Sequence, residues 1–227
     1  MDCMTRKENN QDFLNLSGSL KIVGIVTGVW ALSFVLIASL VYYADHPDFS
    51  IFRTYLSDIG DTSGWPQIIF NSGTLISAPL RYLILVLVVL RLFNLGMSRG
   101  IVVFILFIGF LSSCGTVFMT AVPFHIAPSI HKTGIALYFF GTVFLQIMIF
   151  LVEWSIKQIP RILSVVSIIT ALLFIVFAIL LVLSLKGIVS RDTPVFWEWM
   201  CFVSSITWVF AHSIVLGKPG PYKNKNS

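Results

Sequence analysis

Charge is scarce in this chain. Asp, Glu, Lys and Arg together make up only 11% of 227 residues, against 57% apolar residues and a mean hydropathy of +0.92. A chain with so little charge cannot cover a soluble globule with polar surface. Cysteine is just as sparse: Cys3, Cys114 and Cys201 are three in number, and two of them lie inside apolar runs. That excludes a disulfide framework and a CxxC metal site, and leaves small packing residues plus one thiol near the start. Also missing are a GxSxG elbow, an HExxH pair, and Gly-rich phosphate loops of the Walker or dinucleotide kind. No Ser, Cys or Thr stands in a recognisable local setting with a base, so the ordinary soluble-enzyme classes are set aside and no cofactor is implied.

What the chain has instead is length without polarity. A transmembrane helix needs about 20 mostly apolar residues, and such runs occur near 20–44, 68–92, 100–122, 133–154, 161–185 and 195–216. The expectation is an all-α, polytopic membrane protein: a six-helix bundle forming a single domain over 1–227, with connectors too short to hold a soluble domain. The polar, mixed-charge stretch from Met1 to Ser19 and the full length of the first run predict that this run is a retained span and not a cleaved signal. Gly24 and Gly28 form a GxxxG spacing, and Ser112, Ser113 and Gly115 a second small-residue surface, that let neighbouring helices of the bundle approach closely. Tyr42, Tyr43, Trp65, Trp154 and Trp197 fall near run ends, where an aromatic belt places them.

Orientation follows from the distribution of Lys and Arg. Arg6, Lys7, Lys21, Arg91, Arg99, Lys157, Arg161, Lys218, Lys223 and Lys225 lie at one end, ten in all. Only Arg53, Lys132, Lys186 and Arg191 lie at the other, and Arg81 sits within the second run. Cytosolic connectors retain the positive excess, so both termini are expected in the cytosol. The net charge of +5 then calls for no nucleic-acid partner. The closing KNKNS resembles a dilysine retrieval signal, which would mean an endomembrane address, with the plasma membrane as the alternative.

The segment from Asp45 to Asn71 is the one long polar stretch between two spans, and it holds four of the ten carboxylates. It is expected to face the lumen or the outside. Within it SDIGD, with Gly60, Gly64 and Pro66 close by, reads as a turn-rich approach to a helix. Arg81, central in its span, costs roughly 2.5–3.5 kcal/mol to insert, which predicts an acidic partner or a lipid phosphate. His131 and Glu198 begin the fourth and sixth spans on the same side as Asp58 and Asp61. Asp58, Asp61, Arg81, His131 and Glu198 are therefore the candidate ligand-binding residues. An alternative groups Asp58, Asp61, His125 and His131 around a metal that activates water, as in a hydrolase or acyl-transfer enzyme. A second alternative is a transporter with Arg81 in its path.

The order of motifs resembles a known family. FRTYLSDIGDTSGWPQIIFNSG runs into a helix carrying Arg81; GTVFMTAVPFHIAPSIH follows, and FWEWM opens the last helix. This is similar to the Frag/DRAM/Sfk family of six-helix membrane proteins through Tyr55, Ser57, Asp58, Gly60, Pro66, Ile69, Phe70, Gly115, His131, Glu198 and Trp199. Gln67 stands where that family usually has Glu. The FNSG stretch also resembles a related prokaryotic six-helix family. The first resemblance implies work on membrane lipid: lipid-anchor remodelling, phosphoinositide signalling or an autophagy-related role. It implies lipids as partners and supplies no catalytic set, so the reading is of a protein that recognises or organises lipid without catalysis.

Overall fold

A chain segment in hydrocarbon finds no water for its amides, so an apolar run satisfies them internally as a helix. The computed structural model describes residues 2–122 and 127–218, with side chains from residue 16 onward. Among these are seven helices and no strand: α1 (Asp2–Asp45), α2 (Leu56–Asp61), α3 (Trp65–Asn94), α4 (Arg99–Ala121), α5 (Pro128–Ser155), α6 (Arg161–Leu185) and α7 (Val195–Leu216). All but α2 are long and apolar enough to cross a membrane, α1 over Leu16–Asp45. Helices α6 and α7, the fifth and sixth spans, follow the hydropathy to the residue. Helices α3 and α5 start earlier than the apolar runs because Pro66 and Pro128 occupy first-turn positions, where a missing N–H costs nothing. At their other ends α3 and α6 stop on glycines in positive φ, Gly96 (113°) and Gly187 (71°). In each case the next residue's N–H reaches back across the glycine to the last turn, from Met97 to the Leu92 carbonyl and from Ile188 to that of Leu183.

The spans form a closed ring in which α1 packs on α3, α3 on α4, α4 on α5, α5 on α6, α6 on α7 and α7 on α1. Glycines set the closest seams. Gly115 and Gly134 face each other across α4 and α5, and a Cβ on either would lie 2.6 Å from a backbone nitrogen of the facing helix. The GxxxG pair seats α7 on α1, Gly24 against Ser213 and Gly28 against Phe210, so this spacing is used inside the bundle. Large side chains such as Phe140, Leu185 and Val103 point outward, an apolar exterior suited to lipid. Hydroxyls within the spans bond back to the preceding turn: Thr27 to Val23, Ser77 to Gly73, Thr170 to Val166. These hydroxyls are satisfied within their own helices.

Two expectations change. The SDIGD stretch is the body of a helix and not an open turn. Arg91, expected in a connector, lies in α3 and is fully buried, with Nη2–H donating to the Lys218 carbonyl at 3.3 Å. It belongs to the helix because α3 runs on to Asn94.

The α4–α5 seam gives a direct test of the packing. Gly134→Val is expected to lower the melting temperature of the detergent-purified protein, reflecting an overpacking cost of about 1–3 kcal/mol or more. Gly100→Val, where an added Cβ meets nothing within 4 Å, should change it little.

Candidate functional site

Six residues cannot hold a helix by themselves, because nucleation costs more than one turn of hydrogen bonds returns. Helix α2 persists because distant groups satisfy it. Its first free N–H, on Leu56, donates to Glu198 Oε2 of α7 at 2.6 Å, and Ser57 adds its own N–H and hydroxyl to the same carboxylate. The Tyr55 N–H donates to Asp58 Oδ2 at 3.0 Å, so the helix's third residue caps its start. Two carboxylates thus stand at the positive end of α2, where its dipole favours them. The neighbouring Trp199 donates Nε1–H to the Thr54 carbonyl at 2.9 Å. At the far end Asn71 Nδ2 donates to the Gly60 carbonyl at 3.1 Å. A Cβ on Gly60 would fall 2.9 Å from both Asn71 Oδ1 and the Phe70 ring, so any larger residue would displace them. Leu56 and Ile59 complete the docking, buried against Phe34, Val35 and Ala38 of α1.

The connector between α6 and α7 closes over this unit. Arg191 Nη2 reaches both Asp58 oxygens, at 2.7 and 2.8 Å, and its guanidinium carbon lies 4.9 Å from the centre of the Tyr55 ring. The Asp58 carboxylate holds Arg191 more firmly protonated than usual. The Tyr55 hydroxyl donates to the Arg191 carbonyl at 2.8 Å. Burial, opposed by the Arg191 charge, pushes the Tyr55 phenol up to about 12. The phenol therefore keeps its proton throughout the neutral range. What it adds to stability is complete below its ordinary value near 10, and is lost as pH climbs through about 12.

Beside this knot lies an open cavity of about 440 Å³, lined by Tyr42, Asp48, Arg53, Thr54, Asp58, Asp61, Thr62 and Arg191. Asp48, Arg53 and Asp61 are exposed, and their charged groups have no hydrogen-bond or ion-pair partner among the described residues.

Of the five residues singled out by sequence, Asp58 and Glu198 meet at the start of α2 and Asp61 lines the cavity beside them. His131 stands apart: its Nδ1–H donates to the Val122 carbonyl at 3.0 Å, tying α5 to the end of α4. Arg81 also lies elsewhere and is not paired with an acid. Its Nη2 donates to the Thr116 hydroxyl at 2.9 Å and its guanidinium sits 4.8 Å from the Tyr138 ring centre, with no carboxylate in ion-pair contact among the described residues. Of the carboxylates that could have neutralised it, Asp58 and Glu198 are engaged with α2 and Arg191. The metal alternative meets the same obstacle. Asp58 is committed to Arg191 and the Tyr55 N–H, His125 lies outside the described residues, and among these no group of three potential ligands converges.

Sequence reasoning missed a second polar cluster. Glu153 of α5 and His212 of α7, both fully buried, meet at 2.6 Å between Oε1 and Nε2. His212 Nδ1–H donates to the Trp208 carbonyl at 2.8 Å, Trp208 Nε1–H donates to Ser167 Oγ at 3.0 Å, and the Ser167 hydroxyl donates to Glu153 Oε2 at 3.1 Å. These bonds close into a circuit joining α5, α6 and α7, with the Trp208 and His212 rings stacked 4.1 Å apart. It is not a Ser-His-acid nucleophile, because the serine proton points to the carboxylate and the histidine touches no hydroxyl. The signal in the sequence was depth alone: Glu153 and His212 each lie near the same end of a span. Arg191 was missed as well, although a cation in the connector facing an acidic loop is a readable sign.

Breaking one half of a buried pair strands the other. His212→Leu or Glu153→Leu alone is expected to cost about 3–5 kcal/mol, while the double Leu variant should regain most of the loss. Thermal unfolding of the four proteins in one detergent checks this; single and double variants that are equally unstable would contradict the pairing.

Comparison with curated proteins and with solved structures returns no match. The sequence profile of one family, described as the Frag1/DRAM/Sfk1/Cwh43P N-terminal domain, matches residues 19–216. That interval begins within the first span and ends with α7, so it takes in nearly all of the ring of helices, α2 and both residues that α7 contributes to it. This chain belongs to the Frag1/DRAM/Sfk1/Cwh43P family of multi-pass membrane proteins.

Proposed function

We propose that this protein recognises membrane lipid, and organises it without catalysing a reaction, through the polar cavity at the α2 end of the bundle. One observation carries the reading. At the boundary where the spans end, Asp48, Asp61 and Arg53 present charges of both signs to a space that the Asp58–Arg191 pair keeps open. A phospholipid headgroup offers the matching chemistry, with a phosphate for the guanidinium and a hydroxyl or ammonium group for the carboxylates. The acyl chains would remain in the bilayer against the apolar outer face. In this reading the cavity faces the lumen or the outside and both termini face the cytosol, in line with the uneven Lys and Arg distribution. The membrane is an internal one or the plasma membrane.

Recognition here needs no reacting group. Asp58, Tyr55 and Glu198 are spent on shaping the cavity, which leaves the three free charges to contact the ligand.

The test is lipid retention. Wild-type protein in phosphatidylcholine nanodiscs doped with phosphatidylethanolamine or phosphatidylinositol is expected to keep bound lipid of one of these kinds through native mass spectrometry. Asp48→Asn combined with Asp61→Asn, or Arg53→Gln, should reduce that retention by about tenfold for each charge-assisted hydrogen bond lost. Retention that is the same in all variants would remove the cavity from lipid recognition.

A further inference from the structure

Arg81 holds a full positive charge within a membrane span, and nothing charged in the described structure answers it. The side chain comes from α3, 16 residues into the helix that begins at Trp65, and it is partly exposed. Its surroundings are built and specific. The Thr116 hydroxyl sends its proton to the Ser112 carbonyl at 3.3 Å, which turns a lone pair toward Arg81 Nη2. Tyr138 of α5 covers one face of the guanidinium. Ser112 also accompanies the Tyr138 carbonyl and the Thr142 hydroxyl, each at 3.3 Å, so the groups that hold Arg81 are fixed across the α4–α5 seam. A planar fork of five N–H donors is thus clamped on a face and at one position, with most of its donors lacking a protein acceptor among the described residues.

Glu198 is the carboxylate within electrostatic reach of Tyr138, and it accepts from the Leu56 N–H at 2.6 Å. Asp58 is bound by Arg191 through both oxygens. An uncompensated guanidinium in a low-dielectric setting is costly, and the cost falls when an anion shares the site. Depth allows one to arrive: Thr116 lies five residues before the end of α4 at Ala121, roughly 8 Å below that end of the helix.

We propose that Arg81, clamped by Thr116 and Tyr138, is the cation of a second site, between α3, α4 and α5, that binds an oxyanion of the phosphate class through the free edge of its guanidinium. The oxyanion comes either from a lipid phosphate drawn down between the helices or from dissolved phosphate entering at the α2 end. The site shares no residue with the cavity lined by Asp48, Arg53 and Asp61, so variants of one leave the other intact. Neither proton nor bond is exchanged; the anion supplies charge and two acceptor oxygens to a fork that already has its orientation.

The experiment uses the full chain and two probes. Phosphatidic acid in phosphatidylcholine nanodiscs tests the lipid source, read as lipid retained in native mass spectrometry. Inorganic phosphate added to detergent-purified protein tests the dissolved source, read as a rise in melting temperature. For at least one probe, wild type is expected to bind and Arg81→Gln to bind at least about tenfold more weakly, the loss of one charge-assisted hydrogen bond or more. Arg99→Gln, at the opposite end of α4, should bind as wild type does, and so should the Asp48→Asn, Asp61→Asn double variant. Arg81→Lys, which keeps the charge without the fork, guards against a folding failure of the Gln variant and should weaken binding several-fold. Absence of Arg81-dependent binding for both probes, or binding undiminished by Arg81→Lys, would overturn the proposal.

Discussion

Everything particular about this protein depends on two carboxylates at the start of a six-residue helix. Glu198 accepts from the Leu56 N–H across 142 residues of chain, and Asp58 accepts from Tyr55 within the turn. Without them α2 has too few internal bonds to persist. With them, the connector that leaves α1 is folded against α1, α3 and α7, and the spare charges of that connector are displayed in fixed positions. The Arg191 bridge to Asp58 is partly exposed, with side-chain exposures of 60% and 30%, so it contributes less to stability than its bidentate form suggests. Its larger effect is geometric, since it brings the α6–α7 connector over the Tyr55 ring and forms one wall of the cavity.

The two sets of motif residues that carry the resemblance are partners in space. Tyr55, Ser57, Asp58 and Gly60 come from the first polar connector, Glu198 and Trp199 from the last helix, and each set supplies hydrogen-bond groups that the other lacks. Asn71 and Gly60 form a similar pair at the far end of α2. A short pattern in such a chain therefore encodes a docking contact. The opposite end of the bundle is held differently, by the Glu153, His212, Ser167 and Trp208 circuit, in which each donor meets an acceptor and nothing faces water. Such saturation gives rigidity to one end, while the α2 end holds an open cavity.

The spans were legible because hydrocarbon thickness fixes their length and the absence of water fixes their secondary structure. Their ends were less so, since Pro66 and Pro128 extend α3 and α5 beyond the apolar runs. Helix α2 was hidden: Gly60 and Gly64 look like breakers, and the Glu198 carboxylate that offsets them lies far along the chain. Depth reasoning placed Asp58 and Glu198 on one side of the bundle, and both accept backbone N–H groups at the start of α2. The same reasoning gave Arg81 an acidic partner and failed, because depth does not say which neighbour already holds a carboxylate. Glu153 and His212 were each seen at one end of a span, but their contact depends on the order of helices around the ring, with α6 bringing Ser167 between α5 and α7. Sequence periodicity carries no record of that order.

The central claim is that α2 is a folded helix held by Glu198. Amide hydrogen exchange of the protein in nanodiscs measures it directly, followed over residues 55–62. The account predicts slow exchange over Leu56–Asp61, with protection lost on Glu198→Ala while the spans α3 and α6 keep theirs. Fast, loop-like exchange across α2 in the wild-type protein, or protection that survives the removal of Glu198, would contradict it.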